Sequence, residues 1–299
     1  MDPNAAVFPQ IAQARGIGGN SSGGLNVNGT VAHIATQCDG ATLVRVLEAA
    51  ADSLERAVDE VNALNVYPVP DGDTGTNMLH TVRSALKYAH AAEPTLAAIG
   101  AGAAHGALMG ARGNSGVILS QIIRGLKEAL ADAGSLGPEE LKTALRLARA
   151  HANAAVTAPA PGTILTVAAA MDEAAASASG DVAEILSAAL AAADRAVART
   201  QDENPTNKAA GVVDAGGKGL YYLLAGALAG ATGRRVESTH LVVRPAVTTH
   251  AVAADVSSWA GAYDVQFLVE HPSRPIPDVR REMEEFGADC VLVVGDESV

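Results

Sequence analysis

The sequence has little of what builds sheets, staples and cationic surfaces. Of 299 residues only 3% are aromatic, although hydrophobic residues as a whole reach 48%. Few aromatics beside long Ala, Leu and Val tracts favour closely packed helices over a β-sandwich or β-barrel. The two cysteines, Cys38 and Cys290, stand far apart. They supply no disulfide framework and no paired metal ligands, and they suit a reducing, cytoplasmic setting. Positive charge is short: 21 Lys and Arg against 33 Asp and Glu leave a net charge of −12. That argues against a sequence-independent grip on nucleic acid, which relies on clustered cations. No uninterrupted apolar run approaches the roughly 18 residues that a membrane-spanning helix needs.

Periodicity is missing from residues 1–36, which include the run Gly16-Ile17-Gly18-Gly19-Asn20-Ser21-Ser22-Gly23-Gly24. Such a segment cannot supply a core and reads as a disordered or tag-like leader. It has neither the basic start nor the apolar centre of a signal peptide.

From Asp39, a good N-cap, the pattern changes. Leu43, Leu47, Ala50, Leu54, Ala57, Val61 and Leu64 recur at steps of three and four, one face of a long amphipathic helix. Pro68 and Pro70 stop it by about Asn65. Further helical patterns cover residues 77–91, 97–109, 116–132, 138–156, 164–179, 182–200 and 218–231. The connections alternate in kind. Those at 92–94, 133–137 and 180–181 are short and plain, whereas 65–76, 110–115, 157–163 and 201–217 are rich in Gly and polar groups. In an up-and-down array every second connection lies at the same end. The four unusual loops are therefore expected to share one rim of an all-α barrel or bundle.

Each of these loops enters a helix N-terminus, where unpaired N–H groups and the helix dipole favour anions, phosphate above all. The plainer reading is that the Gly residues are C-caps and the Thr and Asn residues N-caps. The first loop adds Asp71 and Asp73, two carboxylates on a turn opened by Gly72 and Gly75. Hard cations such as Mg²⁺ take oxygen ligands of this kind and keep waters and phosphate oxygens besides; an Asx-turn capping the next helix is the alternative. An EF-hand does not fit, since the twelfth position from Asp71 is Val82, and no P-loop string is present. In the second loop Arg112 stands among backbone donors and can hold a phosphate or carboxylate, or remain a solvated surface residue. No Ser–His–Asp or Cys–His set is discernible among the scattered histidines.

Four ordered strings carry a resemblance. Asn65-Val66-Tyr67-Pro68-Val69-Pro70-Asp71-Gly72-Asp73-Thr74-Gly75-Thr76-Asn77-Met78 and Gly110-Ala111-Arg112-Gly113-Asn114-Ser115-Gly116 resemble the kinase domain of bacterial fatty acid kinases, and so do Pro161-Gly162-Thr163-Ile164-Leu165-Thr166-Val167 and Val212-Val213-Asp214-Ala215-Gly216-Gly217-Lys218-Gly219. That domain is related to the nucleotide-binding L subunit of dihydroxyacetone kinases. The resemblance implies an eight-helix antiparallel barrel over residues 37–232, with ATP and two Mg²⁺ ions at one rim. By the same resemblance Asp71 and Asp73 are metal ligands, with Asn65 standing nearest to a third, upstream carboxylate of the dihydroxyacetone kinase relatives. Thr74, Gly75, Thr76, Asn77, Asn114 and Ser115 would meet the phosphates. Gly162, Asp214 and Gly216 would line the rest of the nucleotide site, and Arg112 would face the transferred group.

The implied activity is ATP-dependent phosphorylation of a fatty acid presented by a separate fatty-acid-binding carrier protein, giving an acyl phosphate. The alternatives are a non-catalytic nucleotide-binding module and a dihydroxyacetone (glycerone) kinase-like subunit. Beyond the barrel, a linker over 233–258 leads to what resembles the start of the family's middle α/β domain. It comprises a strand at 263–270, a helix at 277–286 and a strand at 290–294, and stops before the His-x-His segment expected next. Open strand edges in so small a piece favour association, including a homodimer.

Overall fold

The computed structural model describes residues 38–233, 265–266, 269, 273–286 and 291–295. The leader, nearly all of the linker and most of the 263–270 stretch lie outside these residues. Eleven helices are present among the described residues: α1 (Gly40–Glu55), α2 (Val58–Ala63), α3 (Thr74–Ala91), α4 (Leu96–Met109), α5 (Gly113–Leu130), α6 (Pro138–Ala155), α7 (Ile164–Ser177), α8 (Val182–Glu203), α9 (Pro205–Ala210), α10 (Ala215–Thr232) and α11 (Ile276–Glu285). Eight of them are the long antiparallel staves expected from periodicity. The described residues hold no strands, only isolated bridges between Cys38 and Leu136 and between Val156 and Leu292. None of the described helices is long and apolar enough to cross a membrane.

The staves form a closed ring in which each long helix packs on its neighbours in the chain and α10 returns to α1. Small residues set the spacing. Ala103, Ala107, Ala152, Ala189, Ala193 and Ala196 are fully buried, so helix axes approach without large side chains between them. Leu43, Leu54, Met78, Leu130, Ile185 and Val167 fill what remains at 2% exposure or less. The closing seam is among the tightest. A Cβ on Gly226 would lie 2.3 Å from the Ala49 carbonyl oxygen and 2.6 Å from the Ala50 Cα, and one on Gly230 would lie 2.9 Å from the Ala49 Cβ.

Two elements depart from the periodic reading. The first stave is not continuous to Asn65 but turns at Arg56 and Ala57, where the Ala57 N–H donates to the Leu54 carbonyl at 2.9 Å. No proline or glycine marks the turn; tertiary contacts of α2 hold it. The fourth loop, expected to be irregular, contains α9, capped by Asn204, whose Oδ1 accepts from the N–H groups of Thr206 and Asn207. At the rim, α3, α5 and α10 each begin three residues earlier than expected, because the Gly and hydroxyl residues assigned to loops form the first helical turn.

The expected 277–286 helix is α11, shifted by one residue. Of the 290–294 strand, Cys290 lies outside the described residues and Leu292 bridges Val156 of the barrel. Gly226→Ala is expected to destabilise by about 1–3 kcal/mol, because the seam has no room for a methyl group. Gly134→Ala, with nothing within 4 Å of the added carbon, should stay within about 0.5 kcal/mol of neutral. Urea unfolding of the two variants makes the comparison.

Candidate functional site

The N-termini of α3, α5, α7 and α10 converge at one end. A Cβ on Gly113 at the start of α5 would come within 2.6 Å of the Asn77 Nδ2 on α3; one on Gly219 of α10 would meet Met78 of α3 at 2.6 Å; one on Gly216 would meet Ile164 of α7 at 3.3 Å. The four loops thus share one rim, as their alternation in sequence required.

The first loop is organised by an amide. Asn65, 3% exposed, accepts at Oδ1 from the Asp73 N–H (3.2 Å), the Thr74 N–H (3.1 Å) and the Thr74 hydroxyl (2.8 Å), and donates through Nδ2 to the Val69 carbonyl (2.8 Å). Asn62 on α2 does the same two residues further along α3, accepting from the Thr76 N–H (3.1 Å) and donating to the Thr76 hydroxyl (3.0 Å). Asn65 therefore holds the loop. Its oxygen has no lone pair left for a cation, so the place suggested for it beside Asp71 and Asp73 is not one the geometry supports. Thr74 and Thr76 likewise turn their hydroxyls back into the scaffold. Of the first-turn N–H groups of α3, that of Gly75 alone has no acceptor among the described residues.

The two carboxylates are left on the outer side. Asp73 is the N-cap of α3 yet makes no side-chain capping bond; Gly72, at φ +70°, turns the chain between it and Asp71. Asp71 is solvent-exposed. Loss of hydration around its carboxyl, then the Asp73 charge and a hydrogen bond shared with Asp73, push it from its ordinary 3.8 up to about 6. Two carboxylates close enough to share a proton are a natural site for a divalent cation, which relieves their repulsion. Among the described residues no group of three or more His, Cys, Asp or Glu side chains could hold a metal ion. Mg²⁺ fits such a pair, since it is commonly held by one or two carboxylates with phosphate and water completing its shell.

The second loop lies beside the start of α3, with Gly113 against the Asn77 side chain. Arg112 is the exposed N-cap of α5, in extended conformation, and makes no capping bond; no ion pair or hydrogen bond engages its guanidinium among the described residues. Asn114 and Ser115 follow in the first turn, half-buried. A residue outside the barrel also enters here. Gln266 donates through Nε2 to the Ala111 carbonyl at 2.6 Å and accepts at Oε1 from the Gly113 N–H at 3.3 Å.

The third and fourth loops differ in kind. Asp214, 6% exposed, accepts from the Gly217 N–H of α10 at 2.7 Å and is hydrogen-bonded by the Ile164 N–H of α7 and the Asn207 side chain. Burial pushes its carboxyl up to about 6 against the pull of those bonds. A protein carboxylate thus occupies the point where α7 and α10 converge, where an anion would otherwise go. Around it, Thr200 Oγ1 accepts from the Asp214 N–H (2.8 Å), Asn207 Nδ2 donates to the Gly162 carbonyl (3.2 Å), and Thr166 Oγ1 accepts from the Gly162 N–H (2.9 Å). Gly162, Asp214 and Gly216 are all buried in this seam, so they bind the loops together instead of lining an open surface. Lys218, also buried, ties α10 to α2: its Nζ lies 3.6 Å from Glu60 Oε1 and over the rings of Tyr221 and Tyr222, and the Tyr222 hydroxyl donates to Glu60 at 2.6 Å.

Residues 68–229 match the DAK2 domain family, more than half of the chain. The chain belongs to that family. Protein YloV of Bacillus subtilis is 34% identical over 278 residues, covering 87% of this chain and 50% of the relative. A Staphylococcus haemolyticus protein described only as uncharacterized is 34% identical over 262 residues, covering 83% and 47%. The DAK2-domain chain spans about half the length of these curated relatives. A similar solved structure is the dihydroxyacetone kinase of C. freundii, at 19% identity and a TM-score of 0.47 over 71% of this chain and 38% of that one.

Sequence reasoning finds both carboxylates and Arg112 of this DAK2 domain but not Asn62, Thr200, Asn207 or Gln266. The buried polar residues sit in helix ends where Asn and Thr are ordinary, and only their tertiary partners reveal their role. Asn65→Ala strands three donors and is expected to cost about 2 kcal/mol in denaturant unfolding. The carboxyls add a pH signature. The folded-state values of Asp71 and Asp214 lie above their ordinary 3.8. Their stabilising contribution is therefore complete below 3.8 and lost as pH rises through about 6. Asp71→Asn should reduce the fall in urea midpoint between about pH 5 and pH 7; an unchanged fall would mean that Asp71 titrates as an ordinary carboxylate.

Proposed function

We propose that this DAK2 domain is the nucleotide-binding part of an ATP- and Mg²⁺-dependent kinase. Its acceptor is a fatty acid presented by a fatty-acid-binding carrier protein, the product is an acyl phosphate, and the reaction takes place in the cytoplasm. The observation that carries the reading is the pairing of Asp71 and Asp73 at the start of α3, on the same rim as Arg112 at the start of α5, whose guanidinium has no ion pair among the described residues. The four family-type strings of the rim loops support it.

On this reading Asp71 and Asp73 hold Mg²⁺, which would supply neutralisation of the polyphosphate charge. Gly75 N–H, with the first turn of α5, meets phosphate oxygens, and Arg112 holds the phosphoryl group in transit. A carboxylate oxygen of the acceptor attacks the γ-phosphorus as the bond to the bridging oxygen breaks, and ADP leaves with that electron pair. A fatty acid enters already ionised at neutral pH, so the site has to align and neutralise but not to remove a proton. Loop carboxylates and an arginine suit that task, because phosphoryl transfer depends on positioning and electrostatics more than on covalent help from the protein.

Asp71→Ala and Asp73→Ala are each expected to abolish Mg²⁺-dependent ATP binding in calorimetric titration while leaving the circular dichroism nearly unchanged and not lowering the unfolding midpoint. Neither side chain builds the core. Undiminished affinity in both would remove the cation assignment. The acceptor is identified by ADP release in two parallel assays, one with lipid carrier and fatty acid, the other with dihydroxyacetone and its binding subunit. Turnover in the second alone would replace the fatty acid with dihydroxyacetone, and nucleotide binding without turnover in either would make the domain a non-catalytic module.

A further inference from the structure

The rim is not built by the barrel alone. The described residues after the barrel lie against α5, the end of α6 and the connection that follows it, and they do so at several independent points. Arg280 on α11 donates to the Ala154 carbonyl at the end of α6 (2.7 Å) and to the Val293 carbonyl (2.8 Å). The Thr157 hydroxyl donates to the Val291 carbonyl (3.0 Å), Leu292 bridges Val156, and Arg124 of α5 reaches the Gly295 carbonyl (3.4 Å). With the segment anchored on this side, Gln266 meets the second rim loop.

The contact has a particular form. The planar amide of Gln266 takes the Ala111 carbonyl on its donor and the Gly113 N–H on its acceptor. Those two backbone groups flank Arg112. A primary amide is the neutral side-chain group that donates and accepts in one plane, so it pairs with extended backbone as another peptide group would. Arg112 is held at φ −133°, ψ 136°, the extended conformation such pairing requires, while its own side chain makes no capping bond. Gly113 then enters the helix at φ +57°, a turn that glycine makes without strain. The amide grips the backbone on both sides of the one rim cation that no carboxylate pairs among the described residues.

We infer that Gln266 is a positioning residue for Arg112: the post-barrel segment sets the direction in which Arg112 meets the terminal phosphate of a bound nucleotide. This rests on the reading of the rim as an ATP site. It adds that a residue outside the DAK2 match (68–229) governs how the site tells ATP from ADP, since Arg112 would touch the group that ADP lacks. Gln266 itself touches backbone only. Its influence passes through the Arg112 conformation.

The test uses the full chain, with Mg²⁺–ATP and Mg²⁺–ADP as probes in calorimetry and hydrogen exchange read at the 110–116 amides without nucleotide. Gln266→Met keeps the length of the side chain and removes both polar contacts. It is expected to speed exchange at Gly113 and to weaken ATP binding on the order of three- to ten-fold, the worth of one or two exposed hydrogen bonds, with ADP affinity unchanged. Arg112→Ala should reduce the ATP preference at least as much, and adding Gln266→Met to it should have no further effect on that preference. Equal losses for ATP and ADP, additive losses in the double variant, or unaltered exchange at Gly113 would each overturn the assignment. If the unmodified chain binds neither nucleotide, the ATP-site reading fails first and takes this one with it. If it binds both, and Asp71→Ala abolishes binding while Gln266→Met changes nothing, only the role of Gln266 fails.

Discussion

Closure of the ring depends on α10 reaching backbone contact with α1. Gly226 and Gly230 allow it, because each presents bare backbone where Ala49 and Ala50 pass. With that seam closed, the eight staves run alternately up and down, and α3, α5, α7 and α10 start at the same end. The rim is a consequence of this packing, and its chemistry depends on helix ends being brought together that are far apart in sequence. The scarcity of aromatic residues serves the same purpose: an alanine-lined interior lets the helices approach closely enough to place Gly113 against Asn77 and Gly216 against Ile164.

Two carboxylates on the rim have similar titration behaviour and opposite meanings. Asp214 and Asp71 are both pushed up to about 6. Asp214 is buried among N–H donors of two helices and an asparagine amide, so its charge is used in full by the scaffold. Asp71 is exposed, and the second-largest cause of its shift is another carboxylate. A proton on one of the pair relieves that repulsion, and a bound cation would relieve it and lower the pKa. This contrast divides the rim into a half that is internally satisfied, around the third and fourth loops, and a half that faces outward, around the first and second. Sequence motifs alone make the four loops equal, because a glycine next to a capping residue looks the same whether the cap is an internal carboxylate or a ligand.

Much of the fold is legible because long amphipathic helices announce themselves by spacing, and the alternation of plain with polar connections points to the single rim. What escapes is of two kinds. Helix starts at Thr74, Gly113 and Ala215 lie three residues ahead of the periodic pattern, since Gly, Ser and Thr look like loop residues although they form unexceptional first turns. The turn at Arg56 and Ala57 has no local signal at all; it exists because α2 has partners on other helices, with its Val58 carbonyl against Gly75, Asn62 on Thr76, and Glu60 on Lys218 and Tyr222. At the site, the carboxylate pair and Arg112 are visible as residue types in a pattern. The support beneath them is not, because an asparagine such as Asn65 looks alike as a ligand and as a cap until its acceptors and donors are counted.

Counting those bonds also changes how the rim handles anions. A helix N-terminus attracts phosphate only to the extent that its N–H groups are unspent. Asn65 and Asn62 use most of those on α3, Thr163 and Asp214 those of Leu165 and Ile164 on α7, Asp214 that of Gly217 on α10, and Gln266 one on α5. The number of donors left to a ligand is therefore much smaller than four helix starts suggest. On the proposed function, recognition of a polyphosphate by so few amides requires charge from elsewhere, which Arg112 and a cation held by Asp71 and Asp73 would supply. On the proposed reading, an acidic protein with one unpaired rim arginine among its described residues would bind a polyanion at this end once a divalent cation has neutralised the two carboxylates of the loop before α3.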